Sequence, residues 1–223
     1  MKIIDVEQGT PEWFAARLGK FTGSDISDLM YAAKPTKAYT DLINEKRSES
    51  KHGITQYEIE KRVGRCIYEN FEPSIGVNGK YGKLMESDAL EYYAKKYDEE
   101  IHTVGFVVSD KWPEHVGTSP DSLHTRKSSG VEIKCHVTLA IHDAATNLKN
   151  ANDLKEFNVK YYWQVLHNML VCEAESWDFV SYLPFISPEY VMSCLAITKM
   201  EVLNDLGLLE ERINTAIKLK TNQ

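Results

Sequence analysis

The chain has 223 residues, a formal net charge of −7, 43% hydrophobic residues and 26% charged ones. That composition supports a substantial core and argues against a protein held to nucleic acid by overall basic charge. No apolar run approaches the roughly 20 residues of a membrane helix, and the opening Met1-Lys2-Ile3-Ile4-Asp5-Val6 is too short and too soon charged for a secretory signal, so a cytosolic location is expected.

Taken in chain order, Thr10-Pro11-Glu12-Trp13-Phe14-Ala15-Ala16-Arg17 reads as a helix start, with Thr10 as N-cap and Pro11 at the first helical position. Thr22-Gly23-Ser24 reads as a turn, with Ser24 capping a helix over Asp25–Tyr31. From Lys34 to Arg65 eight basic residues (Lys34, Lys37, Lys46, Arg47, Lys51, Lys61, Arg62, Arg65) face five acidic ones, which suits either a local phosphate-binding surface or a solvated mixed-charge helix face. Lys83–Tyr97 predicts a helix on which Glu86, Leu90, Tyr93 and Tyr97 share one face. That places a carboxylate on an otherwise apolar stripe, where it needs a cation or hydrogen-bond partners. Strand-like runs follow at Thr103–Ser109, His115–Thr118 and Gly130–Cys135. Then come a helix near Asn158–Cys172, a strand over Trp177–Leu183, and a strand or helix start over Tyr190–Ile197. Val202, Leu206, Leu209, Ile213 and Ile217 recur at helical spacing at the C-terminus. The order predicts an α/β or α+β fold with a central mixed β-sheet flanked by helices, and the absence of repeats and linkers predicts a single domain over residues 1–223.

The residues that promise chemistry lie between Pro120 and Lys134: Pro-Asp, ten residues, then Glu-Ile-Lys. Alternation along a strand puts Glu132 and Lys134 on one face, with Val131, Ile133 and Cys135 on the other. Asp121 and Glu132 are hard oxygen donors of the kind a divalent cation prefers. A lysine beside them orients or deprotonates water, or neutralises developing charge. These are the parts of a metal-dependent phosphodiester hydrolase. The bland readings are a turn-capping Asp121, a solvent-facing ion pair of Glu132 with Lys134, and a surface Glu86. On the helix near Asn158–Cys172, Gln164, His167 and Asn168 share a polar strip that either lines a cleft or bonds a neighbouring loop. Arg17 and Ser24 pair a guanidinium with a hydroxyl near helix ends, which suits a phosphate. The four cysteines (Cys66, Cys135, Cys172, Cys194) form no Cys-x-x-Cys pair and read as reduced thiols. The seven histidines show no metal-ligand spacing, and there is neither a Gly-rich phosphate loop nor a Gly-x-Ser-x-Gly elbow.

Taken together, several segments resemble the phage lambda-type exonuclease family, the YqaJ-like viral recombinase nucleases. They are Gln8-Gly9-Thr10-Pro11-Glu12-Trp13 with Arg17 to Ser24, Gly82-Lys83-Leu84-Met85-Glu86, Ser119-Pro120-Asp121-Ser122-Leu123, Val131 to Cys135, Tyr162-Trp163-Gln164, and Trp177 to Tyr182. The segments run in family order. The resemblance implies a restriction-endonuclease-like core and a Mg²⁺-dependent exonuclease, with Mn²⁺ an acceptable substitute. Such an enzyme digests one strand of linear double-stranded DNA from its 5′ end to mononucleotides and leaves a 3′ single strand for an annealing protein. It implies metal ligands at Asp121, Glu132 and the Ile133 carbonyl, a catalytic lysine at Lys134, and catalytic contributions from Glu86 and Gln164. Arg17, Ser24, Ser119 and Gln164 are implied to position the 5′-phosphate. A homotrimeric ring around DNA and a place in the cytoplasm of a bacterial host are also implied. The chain departs from the family pattern at Ser122, where glycine is usual, and at His136, where proline is usual. Two other readings are a restriction-type endonuclease on the same core and a non-catalytic DNA-end-binding scaffold.

Overall fold

The computed structural model describes residues 1–53, 55–69 and 77–222. In chain order the elements are β1 (Lys2–Ile4), α1 (Pro11–Arg17), a 3₁₀ turn (Ile26–Leu29), α2 (Lys37–His52), α3 (Gln56–Glu69), α4 (Val77–Tyr97), β2 (Ile101–His102), β3 (Phe106–Val108), β4 (Gly117–Thr118), β5 (Ser122–His124), β6 (Ser129–Cys135), α5 (Leu139–Thr146), α6 (Ala151–Phe157), α7 (Val159–Cys172), β7 (Ser176–Tyr182), β8 (Met192–Thr198) and α8 (Leu203–Thr221). Five strands make a mixed sheet in the order β2-β5-β6-β7-β8. Only β6 and β7 run parallel, with Glu132 opposite Phe179 and Lys134 opposite Ser181. A parallel pair needs a long crossover, which α5, α6 and α7 supply. Strands β1, β3 and β4 form a smaller antiparallel sheet.

The alternation on β6 decides what covers each face of the large sheet. Val131, Ile133 and Cys135 pack with Ala89, Leu90 and Tyr93 of α4 and with Val180 and Tyr182 of β7. The opposite face carries Phe179 and Trp177 against Tyr162, Trp163, Leu166 and Met169 of α7, and α8 closes that layer with Leu206, Leu209 and Ile213. Helix α7 begins where Asn158 accepts hydrogen bonds from the Lys160 and Tyr161 amides, and it ends at Glu173 in a left-handed conformation. Gly130 opposes Trp177 so closely that a Cβ there would lie 2.4 Å from the indole.

The structure alters several sequence expectations. Thr10 does cap α1, accepting from the Trp13 amide, but Ser24 caps nothing. The helix expected over 25–31 is the short 3₁₀ turn, where Asp25 bonds the Thr22 amide at 2.7 Å and leaves Ser24 free to face Arg17. Helix α4 starts six residues before the expected Lys83, at Val77. The run over 103–109 contracts to β3, and 190–197 resolves as the strand β8. The basic stretch is divided: Lys34, Lys37, Lys51 and Lys61 are exposed, while three others are wired into the fold. Lys46 is buried and pairs with Asp25 at 3.1 Å, Arg62 pairs with Glu49 at 2.5 Å, and Arg47 donates to the Lys220 carbonyl at 3.2 Å. The Arg65 side chain lies outside the described residues. No helix among the described residues is long and apolar enough to cross a membrane.

Candidate active site

Asp121 precedes β5 and Glu132 lies on β6, and the two are tied through backbone. The Asp121 carboxylate accepts from the Ile133 amide at 2.6 Å. Because the N–H and C=O of one residue face the same side of an extended strand, the Ile133 carbonyl opens toward Asp121 as well. Asp121 therefore does more than cap a local turn, since its partner is twelve residues away. Glu132 is 1% exposed, so the pair it forms with Lys134 at 2.5 Å is not a solvent-facing one. Its other oxygen accepts from Asn168 Nδ2 at 3.0 Å. The Lys134 ammonium lies 5.0 Å from the Tyr161 ring centroid. Asp121, Lys134, Glu86 and Tyr161 line one cleft of about 1170 Å³, together with Gln8 and Trp13.

The electrostatics follow from this crowding. Burial, then the Glu132 charge, pushes the Asp121 carboxyl well above its usual range, with Glu86 adding to the effect and Lys134 opposing it. Burial disfavours the Lys134 ammonium, but Glu132 and Asp121 outweigh it, so the group is held above its usual value and stays charged. Burial, Glu86 and Asp121 together push the Cys135 thiol up to about 12, so it is no nucleophile at neutral pH. Two crowded carboxylates and a main-chain carbonyl suit a hard dication, whose charge would relieve the repulsion that raises Asp121. Among the described residues no three His, Cys, Asp or Glu side chains gather into a ready-made cage. The oxygen donors at hand are Asp121, Glu132 and the Ile133 carbonyl.

A second cluster is built around Arg17 at the end of α1. Its Nη1 donates to Ser119 Oγ at 3.1 Å, and its Nη2 donates to Thr22 Oγ1 at 3.2 Å and Ser24 Oγ at 3.4 Å. Ser119 is two residues before Asp121, so one turn joins the cluster to the carboxylates. Gln164 sits beside it: a Cβ on Gly23 would meet Gln164 Cγ at 3.3 Å and Asn168 Oδ1 at 3.2 Å. The structure thus brings Arg17, Ser24 and Ser119 together, with Gln164 alongside the Thr22–Ser24 turn. The two family departures are absorbed locally. The Ser122 hydroxyl donates to the His102 carbonyl at 3.0 Å, and the His136 amide extends the sheet to the Tyr182 carbonyl at 3.0 Å, a bond proline would lack.

Sequence reasoning assigned no role to Trp13, Thr118 or Tyr161, and it named Asn168 only as part of a polar strip. The Trp13 ring lies 4.2 Å from the Arg17 guanidinium, and the Thr118 hydroxyl bonds Asn168 Oδ1 at 2.5 Å, which orients the amide toward Glu132. The signal was partly present: Trp13 and Arg17, like Gln164 and Asn168, are four apart on helices and share a face.

The model of the YqaJ-like viral recombinase domain matches residues 12–175. Among solved structures, the alkaline exonuclease LHK-Exo from Laribacter hongkongensis aligns with a TM-score of 0.70 at 22% identity, over 95% of this chain and 92% of that one. The same enzyme in complex with dAMP aligns with a TM-score of 0.67 at 23% identity, over 95% and 92%. A phage-related exonuclease from Haemophilus somnus 129PT aligns at 0.63 with 13% identity, over 90% and 93%. At these identities the likeness is one of fold, and it covers the sheet and both helical layers that hold the two clusters. No curated protein sequence matches the chain. The match from Glu12 to Glu175 runs from the helix of Arg17 to the end of α7, so every residue of both clusters falls inside it, and the chain belongs to the YqaJ-like viral recombinase domain family.

Proposed function

We propose that this protein is a nuclease of phage-type recombination, and more narrowly a Mg²⁺-dependent exonuclease that digests one strand of linear double-stranded DNA in the 5′-to-3′ direction. The observation that carries the reading is the junction of two clusters at one turn. Arg17, Ser24 and Ser119 form a set of donors for a terminal phosphate, and Asp121 follows Ser119 by two residues, with the Glu132 and Lys134 charges beside it. Family membership and the likeness to alkaline exonucleases support it.

The roles follow from geometry. Asp121, Glu132 and the Ile133 carbonyl would hold Mg²⁺, which when bound supplies charge stabilisation for an in-line phosphodiester displacement. Asn168 and Ile133 fix the two carboxylates, so neither swings away from the cleft. Lys134, held charged, orients water and offsets negative charge on phosphate instead of acting as a base. Glu86 faces the same cleft from α4 and is the group suited to take a proton there. Arg17 and its hydroxyls clamp the terminal phosphate and so set which bond is cut. An acidic protein stays on DNA if three copies enclose it, so a homotrimeric ring belongs to this reading, as does an annealing protein that receives the 3′ single strand.

The test is digestion of linear duplex bearing a 5′-phosphate on only one strand, with Mg²⁺, with EDTA, and with Lys134→Ala. Mg²⁺-dependent loss of the phosphorylated strand, absent in the variant, is the expected result. Tight end binding without digestion by the native protein would instead mark a DNA-end-binding scaffold, and cutting of closed circles would mark an endonuclease.

A further inference from the structure

The Ser119 hydroxyl is approached by two donors at once. Trp13 Nε1 donates to its oxygen at 2.9 Å and Arg17 Nη1 donates at 3.1 Å. A hydroxyl oxygen offers two lone pairs and one hydrogen. With both lone pairs occupied, its own O–H is directed away from Trp13 and Arg17, as a pure donor. Arg17 Nη2 donates to Thr22 and Ser24, whose hydroxyls share a hydrogen bond at 3.2 Å, so that one of those two O–H groups is left to donate elsewhere. The arrangement engages the N–H groups of Trp13 and Arg17 on hydroxyl oxygens and leaves the Ser119 O–H, with one of the Thr22 and Ser24 pair, to donate outward, which is the polarity an anion requires.

Trp13 holds this arrangement. Its ring underlies the Arg17 guanidinium at 4.2 Å and fixes the plane of the fork. Its Nε1 also donates to the Gly105 carbonyl at 3.1 Å, which anchors the ring just before β3. Unlike the fully buried Trp177, Trp13 is only half-buried and lines the cleft.

We propose that Trp13 is a positioning residue that sets end specificity: by fixing Arg17 and turning the Ser119 hydroxyl outward, it makes the site prefer a 5′-phosphate over a 5′-hydroxyl. This rests on the exonuclease reading and deepens it.

The experiment measures binding of blunt duplexes with 5′-phosphate or 5′-hydroxyl ends by fluorescence anisotropy in EDTA, beside digestion in Mg²⁺. The native protein is expected to bind phosphorylated ends more tightly. Trp13→Phe keeps a ring and removes the N–H, and Ser119→Ala removes the hydroxyl. Each is expected to lower the ratio of the two affinities by about threefold to tenfold, the range of one lost hydrogen bond. The double variant is expected to fall no further than Ser119→Ala alone, because the ring that holds Arg17 remains and the N–H that Trp13→Phe removes acts through that oxygen. A ratio unchanged in Trp13→Phe, or two effects that multiply, would overturn the proposal. If Trp13→Phe melts before measurement, Ser119→Ala decides: an unchanged ratio there overturns it equally. A protein that prefers phosphate in EDTA but digests nothing in Mg²⁺ sinks the exonuclease reading and leaves the clamp standing. Digestion without any end preference does the reverse.

Discussion

Lys134→Ala removes the cation placed against Glu132 at 2.5 Å. The loss is expected to lower digestion at least about 100-fold, the usual scale for a group acting at the transition state, while duplex binding through Arg17 persists. A comparable loss of binding and digestion would mean that Lys134 only holds the fold. His136, next along the strand from Cys135, makes a stability prediction. Burial first, then the neighbouring His142 and Lys134, pushes its imidazole down to about 4. A histidine lowered by folding stabilises fully above its unfolded value of about 6.5 and loses that contribution as pH falls toward 4, on the order of 3 kcal/mol in all. Urea unfolding at pH 7 and pH 5 should show the decline, and His136→Gln should flatten its slope. An unchanged slope would assign the acid sensitivity to other groups, such as the buried His167, also lowered by burial.

At the scale of elements, β6 and α7 carry the site, and their packing predicts where they fail. Gly130→Ala puts a methyl against Trp177, a 0% exposed side chain pinned in the core. Overpacking of that kind costs about 1–3 kcal/mol, or roughly 2–10 °C in Tm for a chain of this size. Asn158→Ala removes the acceptor for two amides of the first turn of α7 and should cost about 1 kcal/mol. Calorimetry decides both, and an unchanged Tm in either variant contradicts the assigned contact. The β6 alternation and the α7 helix were legible because each is a local period of apolar residues. The 3₁₀ turn after Arg17 was not, since Asp25 accepts from the Thr22 amide three residues back while Ser24 faces Arg17, and sequence does not say which of the two neighbours bonds the backbone.

For the whole molecule, the net charge is −7, and the internal pairing of Lys46, Arg47 and Arg62 leaves four exposed lysines of the basic stretch, Lys34, Lys37, Lys51 and Lys61, to face DNA. The ring reading answers this by enclosure, because a protein closed around its substrate depends less on counterion release. Light scattering is expected to give three times the 25.5 kDa of one chain. Digestion over long stretches should then fall only modestly between low and physiological salt once loaded. A monomeric mass with long-range digestion intact would dispose of the ring.

The sequence alone determined the order and spacing of the motifs, the shared face of Glu132 and Lys134, the Thr10 cap and the apolar stripe of α8. All of these are set by helix and strand periods within a few residues. Only the tertiary structure decided that Ser119 meets Arg17 across 102 positions, that Asn168 steadies Glu132 across 36, and that Trp13 serves both Arg17 and Ser119. Periodicity fixes which way a side chain points along its own element. What stands opposite it depends on how the β6–β7 crossover and the two sheets pack, and that is settled by burial summed over the whole core.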